Sequence, residues 1–430
     1  MDDYVDLSYE PTSKDLIAMY YVAKAPDCQN LQEASMEIAK ESSIGTWTDI
    51  LTMSREIARK LKPYVFYLDE KNHIVKIAYT EELFEMDNIS QILSAIAGNI
   101  FGMKKLQNLR LLDIDFPEDI VNSYKGPKFG IEGIRKLTKI SDRPLLGTIV
   151  KPKVGLNERE HANICGAAWR GGLDIVKDDE NLTSMRFNTF EERVDKTLTM
   201  RDKIEDETGE TKIYMPNITA KVSTMKKRAD YVKERGGKYV MIDVVTTGFS
   251  AMMEMRDYLG PMDLIIHAHR AMHAAFTRVK EHGITMLVLA KLMRLIGVDQ
   301  LHTGTIVGKM EGGKQEVLNI NNEITAQQIH GNNKTLLNQN WYGLKPILPV
   351  ASGGLNPLDI PELIETLGKD MVFQLGGGVH GHLDGTEAGA KAVRQALDAT
   401  LNNIDLREYS KFVKELTRAF EKWGKHTINV

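Results

Sequence analysis

From about residue 145 onward, short apolar runs recur at 145–150, 173–177, 213–217, 239–245, 264–269, 301–305, 347–352 and 372–375, with helical segments between them. Runs this short, bounded by turn residues, read as strands buried on both faces, the mark of a parallel sheet. Parallel neighbours need a crossover, and a helix after each strand supplies it. Eight such units in succession predict a (β/α)8 barrel. That fold also says where chemistry has to lie, because its catalytic groups sit where the strands run out into the following loops.

The polar residues fall there. The second run, Gly171-Gly172-Leu173-Asp174-Ile175-Val176-Lys177-Asp178-Asp179-Glu180, ends in one lysine and three acids. Alternation along a strand puts Lys177 and Asp179 on one side and Asp178 on the other, while Glu180 at the turn can swing back toward the first pair. The cluster is either a solvated strand end with a Lys-Asp ion pair or a hard-cation site, since carboxylate oxygens suit Mg²⁺. A lysine is a poor neighbour for a cation unless its amine has taken up carbon dioxide as a carbamate, which is anionic and ligates through oxygen. Strand one ends in Thr148-Ile149-Val150-Lys151-Pro152-Lys153 and strand three in Asn217. Strand five ends in His267-Ala268-His269-Arg270, strand six in His302-Thr303, strand seven in Ser352-Gly353-Gly354, and strand eight in Gln374-Leu375-Gly376-Gly377-Gly378. Seven decorated ends together argue for a site.

Glycines after strands seven and eight let backbone N–H groups approach an anion, and these loops are the usual phosphate site of the fold. Arg270 and His302 can hold a second anion through charge-assisted hydrogen bonds. Two anion sites flanking a metal suggest a bisphosphate. Lys151 and Lys153 lie between them, and one is expected to have its pKa lowered by neighbouring cations. After strand six, the glycine-bounded stretch 304–313 suits a lid that delivers Lys309 to developing negative charge. It is no P-loop, because Lys309 is followed by Met310 rather than Ser or Thr. His267 and His269 face the same way, as a zinc pair or as neutral imidazoles serving substrate or proton transfer.

Residues 1–125 read as a separate α+β domain, with the barrel domain at 126–430. Strand-like runs at 16–23, 65–68, 74–79 and 109–114, with helices at 31–40 and 90–96, give the order βαββαβ of a ferredoxin-like sandwich. A net charge of -4 leaves no basic footprint for nucleic acid or membrane. Two cysteines, Cys28 and Cys165, make no disulfide framework and point to a reducing cytoplasm. The N-terminus lacks a signal-peptide plan, and no window holds eighteen uninterrupted apolar residues.

These motifs together resemble the large subunit of ribulose-1,5-bisphosphate carboxylase/oxygenase (RuBisCO) through nearly the whole chain, and the phrasing away from the site resembles the archaeal form III branch. The resemblance implies that Lys177 is carbamylated by an activator carbon dioxide, binds Mg²⁺ with Asp179 and Glu180, and acts as the base that forms the enediolate. It implies that Lys151 protonates the product carbanion, that Lys153 and Asn217 support the site, that His269 assists proton transfers, and that Lys309 stabilises the carboxylated transition state. Arg270, His302 and Ser352 would hold one phosphate; Gly354, Gly376, Gly377, Thr46, Trp47 and Lys309 would serve the other, with Thr148, Gly353 and Gln374 also lining the substrate. Glu41, pairing with Lys309, and Asn99 would come from a partner subunit, which implies a homodimer or a multiple of dimers with shared sites and no small subunit. Ribulose 1,5-bisphosphate and carbon dioxide would be the substrates, with oxygen competing.

Two rivals share parts of this pattern. A RuBisCO-like enolase or isomerase acting on a sulfur-containing sugar phosphate has the same fold, but such relatives typically replace several of Lys151, Lys177, His269, His302 and Lys309, all of which stand here. A metal-dependent amidohydrolase also uses a carbamylated lysine and a His-x-His pair, with the histidines on strand one and the lysine on strand four. Here the lysine comes first, on strand two.

Overall fold

The computed structural model describes residues 4–46, 48, 50–307, 313–332 and 334–424. They form two compact units: 1–126 with 272–297 and 322–344, and 127–271 with 298–321 and 345–430. No helix among the described residues is long and apolar enough to cross a membrane. Both cysteines are free and buried.

The first unit is a sheet covered by helices. Asp15–Lys24 lies between Leu106–Asp115 and Ile74–Thr80, and Tyr64–Asp69 pairs outside the latter, all antiparallel. This is the ferredoxin-like order. Helix Leu31–Glu41 buries Leu31, Ala34, Ile38 and Ala39, the stripe its spacing predicts, and Asn30 caps it by accepting from the Glu33 N–H. Helix Arg55–Leu61 has no counterpart in the sequence reading; its single buried residue, Ala58, leaves no apolar stripe to detect. A fifth, two-residue strand, Gly283–Ile284, adds parallel to Leu106–Asp115.

Two stretches from later in the chain complete this unit. Helix Met286–Ile296 is buried at every position, Lys291 and Arg294 included. Buried cations need partners. Lys291 Nζ lies 2.7 Å from Asp113 Oδ1, 3.6 Å from Glu323 Oε1, and donates to the Ile114 carbonyl. Arg294 donates to the carbonyls of Glu323, Ala326 and Leu344 and stacks over Trp341.

The second unit carries the barrel. Its eight strands are Leu145–Ile149, Ile175–Lys177, Ile213–Met215, Tyr239–Asp243, Ile265–His269, Gln300–Gly304, Leu348–Ser352 and Val372–Gln374. Each pairs parallel with the next, the eighth pairs with the first, and a bridge between Asn217 and Met241 joins strands three and four to close the ring. All eight expected runs are strands. The fourth is shorter than expected, because Val244 and Val245 begin helix Val244–Thr247.

Alternation along these strands sorts the interior by height. Leu145, Ile175, Ile213, Met215, Tyr239, Met241, Ile265, Leu348, Val350 and Val372 form one apolar cluster, plugged by Ile134. One or two inward positions further along, the residues become Lys177, Asn217, Asp243, His267, His269, His302, Ser352 and Gln374. The apolar floor thereby anchors each polar side chain at the carboxyl end of its own strand.

Candidate active site

Lys177 is fully buried at the end of strand two, where its Nζ donates to the Asp178 carbonyl at 3.0 Å and lies 3.4 Å from Met241 Sδ. Burial lowers its pKa, and Lys151 pushes the same way, against the pull of Glu180, Asp179 and Asp243. Asp179, equally buried, accepts from Lys151 Nζ at 2.6 Å and from the Asn181 backbone and side-chain N–H groups. Glu180 accepts from Lys153 Nζ at 3.1 Å. Burial alone would raise the Glu180 carboxyl; His269, Lys177 and Lys153 outweigh it and hold it down at about 2.

Asp178 points the other way, as the alternation requires. It accepts from Tyr214 OH at 2.7 Å, Arg193 Nε at 3.1 Å and the Asn217 N–H at 2.9 Å, and His161 Nε2 lies 3.1 Å away. Burial opposes its charge, yet Arg193 and these neighbours hold its carboxyl well below the usual carboxylate range. Asp178 thus serves the wall between strand and helices, while Lys177, Asp179 and Glu180 serve the barrel mouth.

Strands four to seven supply a histidine cluster. His269 Nδ1 lies 3.0 Å from Asp243 Oδ1 and its Nε2 lies 3.8 Å from Glu180 Oε2. Gln300 Oε1, His267 Nδ1, His267 Nε2, His302 Nε2, His302 Nδ1 and Ser352 Oγ form a chain with contacts of 2.8, 2.9 and 2.7 Å. Burial pushes His267 down to about 3 and His302 well below the usual imidazole range, with Lys177 adding to both. Gln300 Oε1 can only accept, so neutral His267 donates from Nδ1 and accepts at Nε2 from His302 Nε2–H, and His302 Nδ1 accepts from the Ser352 hydroxyl. Both nitrogens of His267 are engaged, which leaves no zinc pair with His269. Among the described residues no three His, Cys, Asp or Glu side chains gather to hold a metal.

On the same rim, burial lowers the Arg270 pKa to about 10, so the guanidinium stays charged near neutrality. Gly304, at φ +108°, leaves it room, since a Cβ there would lie 3.0 Å from Arg270 Nη2. Gly353 and Gly354 both have positive φ. Gly376 lies against Lys151, whose Cε sits 3.4 Å from where a Cβ would be, and Gly377 faces open space.

Comparison with known proteins shows the family of the chain. Residues 130–423 match the family described as ribulose bisphosphate carboxylase large chain, catalytic domain, and residues 3–120 match its N-terminal domain. The chain belongs to the RuBisCO large-chain family. A ribulose bisphosphate carboxylase of Methanocaldococcus jannaschii is 52% identical over 429 residues, covering 98% of this chain and 100% of that one. One from Pyrococcus abyssi is 51% identical over 424 residues, covering 98% and 96%. Among solved structures, octameric Rubisco from Pyrococcus horikoshii OT3, in complex with sulfate ion, superposes with a TM-score of 0.91 at 49% identity, covering 98% of this chain and 96% of that one. Dimeric archaeal Rubisco from Hyperthermus butylicus does so at 0.92 and 42%, covering 98% of each.

Within this RuBisCO fold the expected residues Lys151, Lys153, Lys177, Asp179, Glu180, Asn217, His269, Arg270, His302 and Ser352 lie at the carboxyl ends of the barrel strands. Asn217 Nδ2 donates to the Glu180 carbonyl at 3.2 Å. Gln374 is buried against Gly147, and neither of its amide atoms has a hydrogen-bond partner among the described residues. In the first unit, Asn99 Nδ2 donates to Glu41 Oε1 at 3.2 Å, which brings those two loops together. Thr46 is half-buried. Trp47 and Lys309 lie outside the described residues.

Of Lys151 and Lys153, one of which was expected to have its pKa lowered, Lys153 is not that one. The Lys153 pKa is raised, because its hydrogen bond to Glu180 and that group's charge favour the ammonium. The lysine pushed toward neutrality is Lys177. Asp243 and Gln300 were missed altogether. Asp243 ends the apolar run Tyr239–Asp243 as Lys177 ends its own, and that same rule applied to strand four finds it.

Proposed function

We propose that this protein is a ribulose-1,5-bisphosphate carboxylase, which adds carbon dioxide to the enediolate of ribulose 1,5-bisphosphate and cleaves the product to two molecules of 3-phosphoglycerate, with oxygen as a competing substrate. The observation that carries this reading is Lys177: a fully buried amine of lowered pKa beside two carboxylates at the barrel mouth. A neutral amine is a nucleophile toward carbon dioxide. Its nitrogen lone pair forms the bond to carbon, one C–O π pair moves to oxygen, and the nitrogen loses a proton to give the carbamate anion.

The donor set fits Mg²⁺. Asp179 and Glu180 offer hard carboxylate oxygens, and a carbamate on Lys177 supplies the further oxygen that the acids alone do not. When bound, the ion stabilises negative charge on the sugar oxygens. Lys151 and Lys153 meanwhile hold the two carboxylates in place through direct ion pairs. Asp243 accepts from His269 Nδ1–H, which leaves Nε2 to take or return a proton at the sugar. Lys151 Nζ is the donor to the product carbanion, and Lys309 serves the carboxylated transition state. Arg270, His302 and Ser352 bind one phosphate, while Gly354, Gly376 and Gly377, with Thr46 and Trp47, bind the other. Gly353, Thr148 and Gln374 line the same mouth.

Glu41 and Asn99 enter from a partner subunit, so the working unit is a homodimer or a multiple of dimers, without a small subunit, in the cytoplasm. The octameric and dimeric relatives support that assembly. Product analysis tests the reading: with ribulose 1,5-bisphosphate, bicarbonate and Mg²⁺, phosphorus NMR should show the substrate replaced by 3-phosphoglycerate. An isomerised sugar bisphosphate with no gain of carbon would overturn it.

A further inference from the structure

His380 is a half-buried histidine at the barrel mouth, on the side opposite the His267–His302 chain in the strand order, and the proposed mechanism gives it no part. Its Nε2 lies 3.0 Å from Thr148 Oγ1, and its Nδ1 lies 3.0 Å from Thr386 Oγ1. Thr148 Oγ1 also donates to the Leu375 carbonyl at 2.7 Å. A hydroxyl has one proton to give, so toward His380 this oxygen accepts, and the ring carries its hydrogen on Nε2. Nδ1 of a neutral ring then accepts, and the donor is the Thr386 hydroxyl. Burial keeps the ring neutral, with its pKa pushed down to about 4.

Three elements meet at this ring: strand one through Thr148, the loop after strand eight through its own backbone, and the first residue of helix Thr386–Leu401. The loop is tied closely, since the N–H groups of both Val379 and His380 donate to the Gly376 carbonyl at 3.1 Å. With that carbonyl turned into the short helix Gly377–His380, Gly376 lies against Lys151 and Gly377 faces open space. The side chain of His380 therefore stands between the loop that presents Gly376 and Gly377 and the strand that presents Thr148 and leads to Lys151.

We propose that His380 is a positioning residue for ribulose bisphosphate, one whose ring, held as the Nε2–H tautomer between Thr148 and Thr386, sets the glycine loop after strand eight at the distance from strand one that a phosphate group requires. This rests on the carboxylase reading for the identity of the ligand, and on the contacts above for the role. His380 touches no reacting atom. Its loss should weaken substrate binding and leave the chemical step alone.

The test is steady-state kinetics and calorimetric binding of ribulose 1,5-bisphosphate for the wild type, His380→Leu, His380→Gln and Thr386→Val. Leucine fills the space without either hydrogen bond, so KM and Kd should rise about tenfold, as for one or two lost hydrogen bonds, with kcat within about twofold. Glutamine can donate to Thr148 and accept from Thr386, so it should restore binding to within about threefold of wild type. Thr386→Val removes only the far contact and should fall between them. Unchanged KM and Kd in His380→Leu, a fall in kcat at constant KM, or glutamine no better than leucine would each overturn the proposal. If His380→Leu does not fold, the glutamine and Thr386→Val proteins decide, since wild-type binding in both would also overturn it. Calorimetry reads binding in a protein that does not turn over, so failure of carboxylation and failure of this proposal are seen separately.

Discussion

Lys177 and Asp178 are adjacent in sequence and live in opposite surroundings, one an amine stripped of water, the other a carboxylate held by Arg193, Tyr214 and a backbone N–H. That contrast was legible in the sequence, because a strand turns successive side chains to opposite faces. Lys177→Ala and Lys177→Arg should each lower carboxylation by at least about a thousandfold, since neither side chain forms a carbamate to act as base. Circular dichroism should show both proteins folded, and a variant that keeps full activity would refute the assignment. Asp243, missed at first, has a testable part through His269. Asp243→Asn removes the charge that fixes the ring, and kcat should fall about tenfold to a hundredfold, the range for lost outer-shell partners, with little change in KM. Side-chain environments were the least legible level, because which of Lys151 and Lys153 would shift depended on the charge each Nζ would meet, and Glu180 is placed by the fold.

At the scale of elements, the eight barrel strands were readable because each is an apolar run too short for a helix. Helix Met286–Ile296 was harder to place: it is buried on all sides, so the face carrying Lys291 and Arg294, which would ordinarily read as the solvent face, gives no sign of what it packs on. Its buried Lys291 pairs with Asp113, far away in sequence, and no local pattern announces that pairing. The wall behind strand two makes a prediction of its own. Arg193→Met leaves the Asp178 charge buried without its main counterion, and unfolding in urea should show a loss of about 3–5 kcal/mol. Replacing both residues with apolar ones should recover much of that loss, and no recovery would show that the loss did not come from the unpaired charge.

For the whole molecule, the βαββαβ order and the barrel were both legible, whereas the return of 272–297 and 322–344 to the first unit was not, because it depends on contacts between segments distant in sequence. Those returns create a pH-dependent cluster. Asp115 is pushed up to about 7 by burial, despite the charge of Lys291 and with Asp113 and Glu323 adding to the rise. In the unfolded chain the same carboxyl titrates near about 3.9. Between those values the unfolded state gives up the proton and the folded state keeps it, so stability falls as pH climbs from about 4 to about 7 and then levels. Asp115→Asn should flatten that slope in thermal unfolding measured across the window. Glu323, also raised to about 7 by burial, adds a slope of the same sign, so the variant reduces the trend without removing it. An unchanged slope would show that Asp115 does not titrate there.

A barrel, a buried lysine and one reaction are joined in carboxylation, and this link can be measured directly. It is tested by the incorporation of labelled carbon dioxide into acid-stable product on adding ribulose 1,5-bisphosphate, with and without anaerobic preincubation in bicarbonate and Mg²⁺. Label should appear in 3-phosphoglycerate, at an initial rate that depends on the preincubation, and none should appear with Lys177→Ala. A folded, metal-loaded wild type that fixes no label, or one whose fixation survives Lys177→Ala, would contradict it.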